Sequence, residues 1–337
     1  MPAAGRRLPL PMSPVPLVRV IRSNLEESVH LGDVVAADTE GRPVATAGDP
    51  ELSLFARSCM KPVQAIVSLS LAPFEFSDRE VAVMCASHNA EPVHLEVVRS
   101  ILRTIGLTEG ALQCTPRRPM DDEAAAANPD VRPIHSDCSG KHAGMLAACV
   151  AQGWPLETYL DPDHPYQQAV LRTVLAATER QSVEVGVDGC GAPVHGMPLR
   201  AIATIYGRLT DPERWGELGP HAARAVRAMR AEPYMVAGRN RVDTAVMETA
   251  DGIVVKAGAE GLLCASVLRR GIGVAVKVRD GTARASGPAM IRALRLLGDL
   301  DHEQVEKLEP FARPPVLGGG RPVGELVTEF ELSVPSG

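Results

Sequence analysis

The feature that most constrains this chain is where its two hydrophobic periods fall. Short β-branched runs sit at both ends, while the long middle carries apolar residues at helical spacing. Residues 16–23 (PLVRVIRS) read as a strand, followed by a hairpin of HLGDVVAAD and RPVATAG turning at Thr39-Glu40-Gly41. From Ser58 the helical pattern holds for about 190 residues. It predicts helices over 58–71, 78–86, 92–105, 140–151, 165–180, 199–209, 212–230 and 240–248. The stretch 114–137 has no clear period and four prolines, so it reads as a long, functionally suggestive loop. GIVVKA, LLCASVL and GIGVAVKV then read as an antiparallel meander over GAEG and RRG turns. A helix over 286–297 and a last strand in GELVTEF complete the pattern. Strands at both ends around a helical middle imply an α+β fold, an α/β/α sandwich on one antiparallel sheet. The sheet comes from about 15–50 and 250–330, with a helical subdomain over about 58–248 inserted between. Residues 1–14 read as a disordered lead-in and 15–337 as a single domain.

Composition removes several function classes. Only 3% of residues are aromatic, too few for a platform that stacks single-stranded nucleic acid. The net charge is −6 with no long basic run, which argues against nucleic acid or an anionic membrane as partner. No apolar stretch is long enough to span a bilayer, and prolines interrupt the N-terminal segment where a signal-peptide core would lie. Seven irregularly spaced cysteines suggest no disulfide framework, so the expected setting is the reducing cytoplasm.

The first chemical candidate is Ser58-Cys59-Met60-Lys61, an S-x-x-K at a predicted helix start. Three residues apart on a helix, the amine can reach the hydroxyl. A serine needs such a base, and a lysine serves once its pKa falls below the model value of about 10.4. Alone the motif is weak. Ser87-His88-Asn89 and Lys256-Ala257-Gly258 strengthen it, because S-x-x-K, S-D-N and K-T-G occur in that order in penicillin-recognising enzymes. A second serine and lysine would then converge on the first pair, each amine depressing the pKa of the other. Arg57, beside Ser58, is a candidate for binding a carboxylate, or else a surface salt bridge.

A second constellation joins Asp137-Cys138-Ser139-Gly140-Lys141-His142 to Asp188-Gly189-Cys190-Gly191. Three readings fit these residues. Cys138 and His142 could form a thiol nucleophile and base. Cys138 and Cys190 could hold a metal, completed by Lys141 or His142. The thiols could equally be small buried hydrophobes, which spacing alone favours because no C-x-x-C pair is present. The remaining histidines, His195 among them, have no motif context and read as structural or exposed.

Taken together, HLGDVV, ARSCMKPVQA, CASHNAEPVH, HSDCSGKHAGML, GVDGCGAPVHGMPL and VVKAGAEGLL resemble the class 3 (rhizobial-type) L-asparaginases. The segments keep the family's order across roughly residues 17–300. The resemblance implies a fold related to serine β-lactamases and bacterial glutaminases. It implies two serine–lysine tandems, Ser58 with Lys61 and Ser87 with Lys256. It also implies one zinc ion held by Cys138, Lys141 and Cys190, a homodimer, and L-asparagine as the small-molecule substrate. Arg57, Asn89, His142 and Asp188 are the candidates for binding that substrate or supporting the metal. The expected reaction is hydrolysis to L-aspartate and ammonia through a serine acyl-enzyme, with the zinc not the source of the nucleophile. The rivals are a glutaminase or a penicillin-recognising hydrolase on the same scaffold, and a non-catalytic zinc or redox-sensing protein.

Overall fold

One long strand organises the molecule. In the computed structural model, which describes residues 13–334, β1 (Val15–Arg22) turns at Ser23 into β2 (Leu25–Asp38). The first half of β2 pairs with β1 and the second with β3 (Pro43–Ala47), both antiparallel. At the changeover, Gly32 stands opposite Val15 on one side and Val278 on the other. A Cβ there would lie 2.3 Å from the Lys277 carbonyl oxygen, so only glycine lets the neighbours approach this closely.

A short strand, β4 (Ser53–Phe55), leads to the helical middle. There the chain forms α1 (Lys61–Leu71), α2 (Asp78–Met84), α3 (Pro92–Thr104), α4 (Asp122–Ala127), α5 (Ser139–Gln152) and α6 (Pro165–Thr178). After β5 (Glu184–Val187) and β6 (Pro193–Pro198) come α7 (Leu199–Arg208), α8 (Gly219–Ala231), α9 (Pro233–Val236) and α10 (Val242–Thr249). The C-terminal part supplies β7 (Ile253–Ala257), β8 (Leu262–Val267) and β9 (Ile272–Val278), then α11 (Ser286–Leu296), β10 (Pro315–Gly318) and β11 (Arg321–Thr328).

The main sheet runs β10-β11-β1-β2-β9-β8-β7, with β3 on β2, and every pairing is antiparallel. The β2–β9 pairing joins the two ends of the chain, with Val34 opposite Val276 and Val35 opposite Ala275, all four fully buried. Helices flank this sheet: α7 packs on β2, β8 and β9, and α11 on β1, β8, β9 and β11. The fold is α+β, a sheet of both chain ends covered by helices.

Local differences from the sequence reading have local causes. The expected helix 58–71 begins as a 3₁₀ turn over Arg57–Met60, and the α-helix starts at Lys61 with Pro62 in its first turn. Proline suits that place because its missing N–H has no partner there. The expected helix 212–230 breaks at Gly216, whose φ of 54° is left-handed, into a 3₁₀ stretch and α8. A small second sheet, β4-β6-β5, was not anticipated. Of the lead-in read over 1–14, residues 1–12 lie outside the described residues. Among the described residues no helix is long and apolar enough to cross a membrane.

Candidate active site

Two helices and one strand deliver the chemistry. At the end of α2, whose N-terminus is secured by a capping box between Ser77 and Glu80, the chain runs on to Ser87. Helix α1 carries Lys61 at its first residue, and β7 carries Lys256 at its second-last. Helix α5 lies against α2 so closely that a Cβ on Gly140 would sit 2.1 Å from the Val83 carbonyl oxygen. That contact draws the Asp137–Lys141 segment toward Ser87.

Both lysines point at one serine. Lys61 Nζ lies 2.9 Å from Ser87 Oγ and Lys256 Nζ lies 2.8 Å from it, with both lysines wholly buried. Lys61 also donates to the Asp137 carbonyl oxygen at 3.2 Å and to its carboxylate at 3.3 Å. Ser58 is not among its hydrogen-bond partners, so the tandem expected from S-x-x-K is not formed as a direct contact. The 3₁₀ turn explains this. It places Ser58 ahead of the helix, while the lysine amine meets Ser87 and Asp137 instead.

The two amines are tuned in opposite directions. Burial lowers the Lys256 pKa to about 8, with the Lys61 charge adding to the fall and Asp243 partly opposing it. Burial also acts to lower that of Lys61, but the Cys138–Cys190 thiol pair and the Asp137 carboxylate outweigh it and the net shift is upward. The mutual depression expected of both amines therefore holds for Lys256 alone. Asp137 is half-buried, yet Lys61 beside it keeps its carboxyl far below the usual range. Ser87 thus sits between a held ammonium and an amine that is easily made neutral.

Ser58 borders two hollows. The larger, about 520 Å³, is also lined by Ser87, Asp137, Arg241 and Asp243. The smaller, about 10 Å³, has room for about one water and is bordered by Arg57, Lys61, Lys141, Asp188 and His195. Arg57 has a left-handed backbone, φ 46°, which a non-glycine residue adopts at a cost and which recurs at functional sites. Its Nε donates to Asp188 Oδ1 at 2.7 Å, so these two substrate-binding candidates are paired with each other. Asn89 borders neither hollow. Its amide donates to Glu91 and to the Arg239 carbonyl and accepts from Arg241, which ties the Ser87 loop down.

The second constellation also assembles. Lys141 Nζ lies 2.9 Å from Cys190 Sγ, and the Cys138 thiol donates to the Asp137 carboxylate at 3.7 Å. The neighbouring Cys138 thiol and the Lys141 ammonium push the Cys190 thiol toward the thiolate, while Cys138 itself is pushed up. Below them His142 is fully buried, its Nδ1 2.7 Å from the Tyr159 hydroxyl and its Nε2 without a hydrogen-bond partner. Among the described residues no group of three His, Cys, Asp or Glu side chains is placed to hold a metal, so a site here needs the Lys141 amine as third donor. Two sulfurs and one amine suit zinc, provided all three give up their protons. His142 does not border the hollows beside Ser58, and its hydrogen bond goes to Tyr159 instead.

Three residues at the site had no assigned role in the sequence. Asp137 precedes the Cys138 string, Asp243 lies in the Arg241-Val242-Asp243-Thr244 segment, and His195 had no motif around it. His195 is almost wholly buried, and burial lowers its pKa to about 4, which keeps the ring neutral.

A serine hydroxyl set between two buried lysines, with a second serine lining the same cavity, is an arrangement suited to serine chemistry with an amine in place of histidine as base. The chain belongs to the L-asparaginase II family, whose family model matches residues 18–328, and it is an amidohydrolase acting on a small amide. No curated protein matches it. Among solved structures it is similar to a β-lactamase from Mycobacterium bovis, at 15% identity over 80% of this chain and 95% of that one, with a TM-score of 0.42. It is similar to Mglu in its native form at 13% identity, over 80% of this chain and 65% of that one, with a TM-score of 0.44. A putative β-lactamase from Bacteroides dorei shares 11% identity over 73% of this chain and 84% of that one, with a TM-score of 0.41. These likenesses are distant, and the reading of the site rests on none of them.

Proposed function

We propose that this enzyme hydrolyses the side-chain amide of L-asparagine to L-aspartate and ammonia through a serine acyl-enzyme. The observation that carries the proposal is Ser87 Oγ held at 2.9 Å from Lys61 and 2.8 Å from Lys256. Lys61, charged, donates to Ser87, and the Ser87 hydroxyl donates to neutral Lys256. Shifting one proton along this line leaves Lys61 neutral and Lys256 charged. Lys61 then takes the proton of Ser58 across the water-sized hollow that both residues border, and the Ser58 Oγ attacks the amide carbon. As the C–N bond breaks, Lys61 returns that proton to the nitrogen and ammonia leaves. Water repeats the sequence on the ester, which frees aspartate and restores the Ser58 hydroxyl. The Arg57–Asp188 pair beside Ser58 offers opposite charges to the α-carboxylate and α-ammonium of the substrate.

Cys138, Lys141 and Cys190 would hold a zinc ion, which when bound supplies a fixed positive charge beside the substrate. The cytoplasmic setting and the homodimer belong to the same proposal, and light scattering of the purified protein tests the second.

A second reading exchanges the serines. Ser87 is the hydroxyl in direct contact with two amines, and it too borders the large cavity. The deciding experiment measures ammonia release from L-asparagine by the wild type and by Ser58→Ala, with zinc content determined on both. Acid-quenched wild type is then digested and the aspartyl ester located by mass spectrometry. An ester on Ser58 supports the first reading and one on Ser87 the second. Faster release from glutamine, or turnover of nitrocefin with none of asparagine, would replace the substrate.

A further inference from the structure

The segment Arg241-Val242-Asp243-Thr244 opens α10, which packs on β7, and Asp243 plays no part in the steps above. Its side chain has no solvent exposure. Oδ1 accepts the Ala257 N–H at 2.6 Å and lies 3.9 Å from Lys256 Nζ. Oδ2 is buried and has no hydrogen-bond partner among the described residues. An acceptor left in that state is destabilising, and more so when charged, so packing alone gives no reason for a carboxylate here. Serine or asparagine would serve the Ala257 N–H as well.

Counting hydrogens on the neighbouring amine gives the reason. Neutral Lys256 turns its lone pair to the Ser87 hydroxyl and gives one N–H to the Ala257 carbonyl oxygen at 2.6 Å. Once it has taken a proton it carries three N–H groups and a full charge, out of contact with water. A buried charge without a counter-charge is strongly unfavourable. Of the groups around the amine, Lys61 on α1 and Arg241 at the start of α10 oppose that charge. Cys59, before α1, and Asp243 favour it, and Asp243 is the one carboxylate within 4.0 Å among the described residues.

We propose that Asp243 is the positioning residue of Lys256: it fixes the end of β7 through the Ala257 N–H and receives the amine as an ion pair once Lys256 holds the proton. The inference rests on the reading of Ser87 and Lys256 as a working pair. No net proton reaches Asp243, whose Oδ1, 3.9 Å from the amine, meets the charge while its carboxylate keeps a second oxygen without a partner.

The test compares wild type with Asp243→Asn, which keeps an acceptor for Ala257 and removes the charge. On L-asparagine, kcat should fall about tenfold or more with KM little changed. The acid limb of kcat/KM should move down by about one pH unit, because the charge that holds the proton on Lys256 is gone. Asp243→Glu should bring the limb part of the way back. If the asparagine variant does not fold, Asp243→Ser makes the same comparison. A limb and kcat unchanged from wild type, with only a lower melting temperature, would leave Asp243 a structural residue and overturn the inference. NMR titration of Lys256 in both proteins needs no substrate. A displaced titration in a wild type that ignores asparagine would sink the substrate reading and keep this one.

Discussion

Lys141 and Lys256 lie at almost the same depth, 3% and 0% exposed, and are driven opposite ways. Lys256 meets a hydroxyl, a carbonyl and a carboxylate at 3.9 Å, and burial wins, leaving its pKa at about 8. Lys141 meets the Cys190 sulfur at 2.9 Å, and the thiolate charge overcomes the same burial and raises it. Depth sets the stakes, and the nearest partner sets the sign. One lysine is thereby made a base near neutral pH. The other is made a cation that surrenders its proton only to something as strongly attracted to sulfur and nitrogen as a metal ion.

The contrast can be broken most sharply at the base. Lys256→Met should lower kcat about 10²- to 10⁴-fold while bound zinc is unchanged. Near-normal turnover of that variant would move the base elsewhere. His142→Ala addresses the other cluster, since His142 follows Lys141 on α5. If the proposed zinc is bound there, the change should weaken it about 10- to 100-fold, read by chelator competition, and leave the acid limb in place. The wild-type pH profile sharpens the comparison further. Lys256 must be neutral to accept a proton, so kcat/KM should fall as pH drops through about 8, by about tenfold per pH unit below it. A limb near 6.5 would point to a histidine in its place. The smallest effect lies outside both clusters. Ser77→Ala removes the cap of α2 and should cost about 1 kcal/mol in a denaturant melt without altering the pH profile.

Much of the frame was legible because its signals are local. The meander over 253–278 shows in its β-branched runs, the three short motifs bring out Ser58, Lys61, Ser87 and Lys256, and only the family resemblance singles out Cys138, Lys141 and Cys190. The partner of Lys61 was not legible, since spacing along a helix points to Ser58 whereas the amine turns to Ser87 on another element. Asp243 was hidden for a similar reason: an ordinary acid in a helix start gives no sign that it will face a lysine on β7. The β4-β6-β5 sheet escaped because β4 has three residues and β6 begins and ends in proline. Such short pieces carry too few residues for a period to show.

The pairing of β2 with β9 also sets a clock on synthesis. Ser87 and Lys256 stand 169 residues apart, and the strand bearing the lysine reaches the N-terminal strands only through β8 and β9. A ribosome takes roughly 10 to 30 s to cover that distance at ordinary elongation rates. Throughout that interval the helical middle can begin to form, but the serine has only one of its two amines. On the proposed mechanism the nascent enzyme is inert until its last quarter emerges, and a chain cut short before β7 is born without Lys256.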